Sequence, residues 1–315
     1  MQTHLTYRLP NQPIVNKVGV FKKLDSSEIF EGFMVSNFEG TEFFGFFENE
    51  INELETTRDI PVVISKSAYI DLASEFIHYI QDHSIGKAVL SRVKKVEFDD
   101  VNLNSFFLQL TEKYPKAFCY CFDSPLLGRW FGATPETLIK IEQGSGETMS
   151  LAGTKVASDV LPWGEKEQIE QQLVTDFITS ELSKYCSKVN VSQRQELIAG
   201  PVKHLVHFFN FEINAQNEWE LIQSLHPTPA VSGFPKNKAI QCISNFEPHD
   251  RLFYAGIIGL KSIDRTNLFV NLRCGQIIEN QLYLYLGGGL TQDSIPESEW
   301  DETENKSKTI LDVML

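Results

Sequence analysis

Gln281-Leu282-Tyr283-Leu284-Tyr285-Leu286-Gly287-Gly288-Gly289-Leu290 is an alternating strand that runs into three glycines. An acidic run follows: Pro296-Glu297-Ser298-Glu299-Trp300-Asp301-Glu302-Thr303-Glu304-Asn305-Lys306. Alternation of polar and apolar positions predicts the strand, and Pro296 predicts a helix start. Gly287, Gly288 and Gly289 carry no side chains to cover their backbone N–H groups, which suits a cradle for a carboxylate or phosphate. Glu299, Glu302 and Lys306 fall three and four positions apart and so share one helix face. Two carboxylates and an ammonium on one face make either a solvated surface or a set of oxygen ligands for a hard divalent cation beside a bound anion.

Upstream the same chemistry recurs. A helical pattern from Trp163 to about Lys188 carries an apolar stripe of Ile169, Leu173, Phe177 and Leu182, and Glu167 and Glu170 repeat the spacing of Glu299 and Glu302. Two helices, each with a glutamate pair, can hold one Mg²⁺ between them; taken alone, Glu167 and Glu170 read as solvent-facing. Gly86-Lys87-Ala88-Val89-Leu90-Ser91-Arg92-Val93 reads as a strand with Lys87 on the face of Val89 and Ser91, and by itself such a lysine is a surface residue. In Phe131-Gly132-Ala133-Thr134-Pro135-Glu136 a turn precedes Glu136, which reads as a first-turn helix residue or an acid. Gly153, in Leu151-Ala152-Gly153-Thr154, permits close approach to the main chain. The loop His226-Pro227-Thr228-Pro229-Ala230-Val231-Ser232-Gly233-Phe234-Pro235 is stiffened by three prolines. The strands Tyr254–Leu260 and Asn267–Cys274 complete a meander with the glycine strand. Arg273, at the end of an apolar run, needs an anion if it is buried.

A net charge of -14 argues against nucleic acid as a partner. No apolar run reaches the ~18 residues of a membrane span, and five cysteines without a CxxC pair fit a reducing compartment. The cytoplasm is the expected location. Residues 1–85 read as short strands and a helix from Ser67 to about Asp82, rich in phenylalanine and without a chemical motif.

Nine segments in order, GKAVLSR, FGATPETL, LAGT, EKEQIE, VKHL, HPTPAVSGFP, EPHDRLFYAGIIG, NLRCG and GGGLTQDSIPESEWDETENK, resemble the chorismate-utilising enzymes. That resemblance covers 86–315, the expected catalytic region, with 1–85 as part of the same unit. It implies an α+β fold of two large, mostly antiparallel sheets packed together with helices outside. It also implies chorismate as substrate and Mg²⁺ as cofactor, with Glu170 and Glu302 as the nearest ligands and Glu167 and Glu299 acting directly or through water. Lys306, Arg273, Tyr254 and the amides of Gly287, Gly288 and Gly289 would hold carboxylates. Gly153, Thr154 and His204 would line the ring, with Ala230 and Val231 in the loop against it.

A lysine at position 87 is the mark of isochorismate and salicylate synthases, in which it serves as base toward water while Glu136 acts as acid on the opposite face. A lysine base and a glutamic acid that work near neutral pH need opposite displacements, amine down and carboxyl up. The expectation is therefore an isochorismate synthase for menaquinone or siderophore synthesis, monomeric and with no glutaminase subunit. Salicylate synthase, an ammonia-using relative and a catalytically silent binder are the alternatives.

Overall fold

The computed structural model describes residues 2–25, 30–51, 54–97 and 102–314. In chain order the first elements are β1 (Thr3–Arg8), β2 (Val15–Leu24), β3 (Gly32–Ser36), β4 (Phe43–Glu48), α1 (Lys66–Asp82), β5 (Lys87–Glu97) and α2 (Leu103–Lys113). A meander of β6 (Phe118–Ser124), β7 (Gly128–Thr134), β8 (Thr137–Glu142) and β9 (Ser145–Val156) leads into α3 (Glu165–Tyr185). Then come β10 (Cys186–Val191), β11 (Gln195–Ala199), β12 (Val202–Ile213), α4 (Glu218–Leu225), β13 (Gly233–Phe234) and α5 (Lys236–Phe246). Last are β14 (Ile257–Lys261), β15 (Arg265–Val270), β16 (Cys274–Ile278), β17 (Gln281–Leu290) and α6 (Pro296–Met314).

All strand pairs among the described residues are antiparallel, and they join into one network with two limbs. One limb runs β13-β5-β17-β16-β7-β6-β1. The other runs β2-β4-β3-β14-β15-β8-β9-β12, with β10 and β11 both on β12. Pairing of β1 with β2 joins them. The two sheets expected from the sequence are thus two limbs of a single ladder network, and β1 and β3 tie the first part of the chain into it by pairing with β6 and β14.

Facing aromatic side chains hold the limbs together: Phe118 of β6 stacks on Phe269 of β15 with ring centres 4.5 Å apart, and Tyr120 donates to Asn271 at 2.8 Å. Each such ring removes 150–250 Å² from water, so this layer dominates the core. Helices α2 and α6 cover one face of the first limb, α1 and α5 pack near β5, and α3 lies over β9 and β12.

The chain passes between limbs at a few connections. Pro135 and Glu136 link β7 to β8, and residues 271–273 link β15 to β16. These two crossings run side by side, with Ala133 N donating to Arg273 O at 3.1 Å and Val270 N to Glu136 O at 3.0 Å. Glu136 is therefore not in a helix, and the expected strand Asn267–Cys274 is broken at 271–273, so that Arg273 sits at φ 49° between strands. Two longer crossings carry the proline loop, from α4 to β13, and Tyr254, which precedes β14 in a turn rather than lying within the strand.

Candidate active site

A cavity opens where these crossings meet, lined by Glu136, Gly153, Thr154, Glu170, His204, Ala230, Val231, Tyr254, Arg273, Gly287, Gly289 and Lys306. Pairing ends at strand-to-strand crossings, so polar side chains there are free to turn inward. Twelve of the seventeen sequence-predicted residues line this one place; Lys87, Glu167, Gly288, Glu299 and Glu302 are not part of its lining.

Lys87 is the first residue of β5 and exposes 0% of its surface. The surface reading of that lysine is therefore wrong. Its ammonium lies 2.7 Å from Glu170 Oε1, an ion pair held between β5 and α3. Glu136 is 3% exposed, and burial pushes its carboxyl up to about 7 even though the positive charges of Lys87, Arg273 and Lys306 pull the other way. A buried carboxyl near neutrality can give a proton to a leaving group.

Arg273 is buried, with its Nη2 donating to His204 Nε2 at 3.2 Å and its Nε–H without any hydrogen-bond partner. Burial and the charge of Arg273 hold His204 down to about 3, so the ring is neutral. Its Nδ1 then carries the proton and donates to Gly153 O at 3.0 Å, with Thr154 Oγ1 at 3.3 Å. His204 lines the cavity and also orients the arginine. Gly153 forms the bulge that shifts the β9–β12 register, at φ 68°. A Cβ there would stand 3.0 Å from Glu167 O, so the close approach it allows is that of helix α3.

The three glycines are not a bare row of amides. They lie inside β17, where Gly287, Gly288 and Gly289 pair with Ser91, Leu90 and Val89 of β5. What demands glycine is the side chains pressed against the strand. A Cβ at 287 would stand 2.5 Å from the Tyr254 hydroxyl, and one at 289 would stand 2.6 Å from Lys87 Cε and collide with Glu170 Oε1. Lys306 reaches over the free edge to Gly287 O at 2.8 Å and to Glu302 at 2.6 Å.

Helix α6 turns Glu299, Glu302 and Lys306 inward, so its acidic face is not simply solvated. On α3 the buried face carries Glu170, Gln171, Val174, Thr175, Ile178 and Leu182, one position round from the predicted stripe, leaving Ile169 exposed. That rotation brings Glu170 into the cavity, while the carboxylate of Glu167 lies over Gly164. Glu299 pairs with Lys166 across the two helices. Burial and the neighbouring Glu302 push Glu299 up to about 7; Glu302 is half-buried, and its Lys306 partner holds it low against desolvation. Among the described residues no three ligands already stand together as a chelate. Yet Glu299 Oε2 is a buried oxygen without a partner, and a Cβ at Gly288 would lie 3.2 Å from it and 3.7 Å from Glu302 Oε1. Convergent carboxylates with an orphaned oxygen suit a hard divalent cation.

Residues 47–315 match the family model described as chorismate binding enzyme. The chain belongs to the chorismate-binding enzyme family. It is 34% identical over 245 residues to isochorismate synthase EntC of Escherichia coli (strain K12), covering 73% of this chain and 62% of that protein. Isochorismate synthase MenF of the same strain is 30% identical over 268 residues, covering 81% of this chain and 61% of that one. The chain thus spans about three fifths of the length of these relatives. In fold it is similar to a putative 2,3-dihydroxybenzoate-specific isochorismate synthase, DhbC from Bacillus anthracis, with a TM-score of 0.85 and 24% identity, over 99% of this chain and 96% of that one.

In this chorismate-binding enzyme, sequence reasoning missed three contributors. Thr228, in the proline loop, sets its buried hydroxyl beside Glu136. Lys166 neutralises Glu299. Glu247 and Arg251, quoted within EPHDR but given no role, form a buried pair, and Arg251 donates to Val231 O at 2.8 Å and Val89 O at 2.9 Å. The i,i+4 spacing of Glu247 and Arg251 was the available signal for this brace.

Proposed function

We propose that the protein is an isochorismate synthase, converting chorismate to isochorismate. The observation that carries this reading is a cavity lined by a buried carboxyl of raised pKa, an incompletely paired arginine and Glu170, with a fully buried lysine paired to that glutamate behind the wall. In this account Lys87 takes a proton from water as the water adds at C2 of the ring. Glu136 gives its proton to the departing C4 hydroxyl, so water enters and water leaves and the product is an isomer. Arg273, Lys306 and the Tyr254 hydroxyl bind the carboxylates; burial keeps Tyr254 protonated and a donor. His204 and Thr154 orient the arginine, Ala230 and Val231 shape the apolar wall, and the paired β5 and β17 fix the positions of Lys87 and the glycines.

Glu170, Glu299 and Glu302 would hold Mg²⁺, which when bound supplies charge to neutralise a substrate carboxylate. A lysine at position 87 supports water rather than ammonia as the nucleophile, so no glutaminase subunit is required. No helix among the described residues is long and apolar enough to cross a membrane, and the described cysteines are unpaired; both observations support reading it as a cytoplasmic enzyme. We assign it to the menaquinone route, which predicts that a strain lacking it loses menaquinone and keeps its siderophore.

Incubation with chorismate and Mg²⁺, followed by chromatography, tests the reaction. Isochorismate accumulating toward equilibrium is the expected result. Salicylate with pyruvate would establish the salicylate synthase alternative instead, and unchanged chorismate would leave only a binding protein.

A further inference from the structure

Arg273 lines two cavities. Together with Pro135 it borders a second space of 550 Å³, enclosed by the end of α2, the β11–β12 turn and the C-terminal half of α6. The walls are mainly apolar, from Ala117, Ala133, Leu197, Ile198 and Pro201, and Lys113, Lys116 and Asp312 are its charged lining residues.

Two of its lining residues each carry a buried polar atom without a partner, Arg273 Nε and Thr309 Oγ1. Thr309 is 3% exposed, and the nearby Tyr114 hydroxyl donates to its carbonyl at 2.8 Å, leaving the Thr309 hydroxyl unused. Buried polar atoms without partners are rare, so two among the lining residues of one cavity ask for a ligand atom. Gly200 keeps the space open beside them: a Cβ there would lie 3.2 Å from the Tyr114 ring and 3.4 Å from Thr309 Oγ1. Apolar walls, two lysines against one aspartate among the charged lining residues, one hydroxyl and one guanidinium N–H fit a ring carboxylate.

We propose that this cavity is an antechamber. It binds a ring carboxylate through Thr309 and the Nε–H of Arg273, and passes it beneath Pro135 into the catalytic cavity, where the same guanidinium receives it. Only the identity of the delivered ligand rests on the isochorismate synthase reading.

4-Fluorobenzoate is a suitable probe, titrated by ¹⁹F NMR against the whole chain and two variants. Thr309→Val keeps the volume and removes the hydroxyl, and Thr309 does not line the catalytic cavity. It should weaken binding about tenfold, the effect of one hydrogen bond to a charged group. Lys116→Glu should weaken it about threefold at low salt, converging on the parent at high salt as screening sets in. With chorismate, both variants should lower kcat/KM by similar factors at unchanged kcat. Parent-like fluorobenzoate binding by variants that melt normally would overturn the antechamber, as would weakened binding with an unaltered kcat/KM. If the parent itself leaves chorismate untouched, the isochorismate reading fails while the fluorobenzoate titration still decides on the cavity.

Discussion

Two arginines lie buried about one connection apart, and they are opposites. Arg251 uses both arms: Nε donates to Glu247 at 2.7 Å, Nη2 to Glu247 at 2.6 Å and to Val89 O, and Nη1 to Val231 O. Its carboxylate partner more than offsets burial, so Arg251 is held above the ordinary arginine range. Arg273 has a neutral histidine, an idle Nε–H and no carboxylate, and burial draws it below that range. A buried charge whose partners are all supplied by the protein is scaffold; one whose partners are missing is waiting for a ligand. Arg251 braces the carbonyls of Val89 and Val231 from behind, and the site in front is built on that brace.

The comparison can be broken by substitution. The largest effect belongs to the unmatched side: Glu136→Gln should lower kcat by 10²–10⁴-fold while chorismate still binds, measured by steady-state kinetics and calorimetry. The same variant tests the pH linkage. A carboxyl raised from the usual range to about 7 favours the fold fully below about pH 4.5, in its neutral form, and that contribution is lost as pH rises through 7. Between pH 5 and 8 the parent should therefore lose stability relative to Glu136→Gln, by on the order of 3 kcal/mol in urea melts. On the matched side, Arg251→Met leaves Glu247 buried without its cation, with only the Ser91 N–H and His249 beside it, and should cost about 3–5 kcal/mol of unfolding free energy.

Arg273→Met should do the reverse, leaving stability level or slightly higher while kcat/KM falls about 10–100-fold, the loss of charge-assisted bonds worth about 1.5–3 kcal/mol. Smallest is His204→Gln, expected to raise KM roughly 2–10-fold through a lost orienting bond of about 0.5–1.5 kcal/mol. Because the imidazole is held near 3, kcat/KM should show no His204 limb between pH 5 and 8.

Motif order in the sequence was enough to bring most of the candidate residues together, because each sits in a short segment with distinctive chemistry. What it concealed was the reason they meet. Sequence patterning put a turn before Glu136 and one strand over Asn267–Cys274, and could not show the strands β7, β8 and β16 or that the chain changes limb at Glu136 and again at Arg273, since limb membership depends on pairing between residues more than a hundred positions apart. Likewise the glycines of β17 looked like exposed amides because their ladder partner, β5, is far away in sequence. Periodicity placed the stripe of α3 by hydropathy alone, yet the buried face is partly polar, with Gln171 donating to Ser150 and Thr175. Polar burial of that kind is invisible to an apolar count and is what aims Glu170 inward.

The central claim, water activated at Lys87 and a hydroxyl expelled at Glu136, is tested most directly by turnover in H₂¹⁸O. One ¹⁸O at C2 of isochorismate, with the original C4 oxygen released to solvent and no labelled product from Lys87→Ala, is the predicted result. Unlabelled isochorismate, which would mean that the hydroxyl migrates within the substrate, would contradict it.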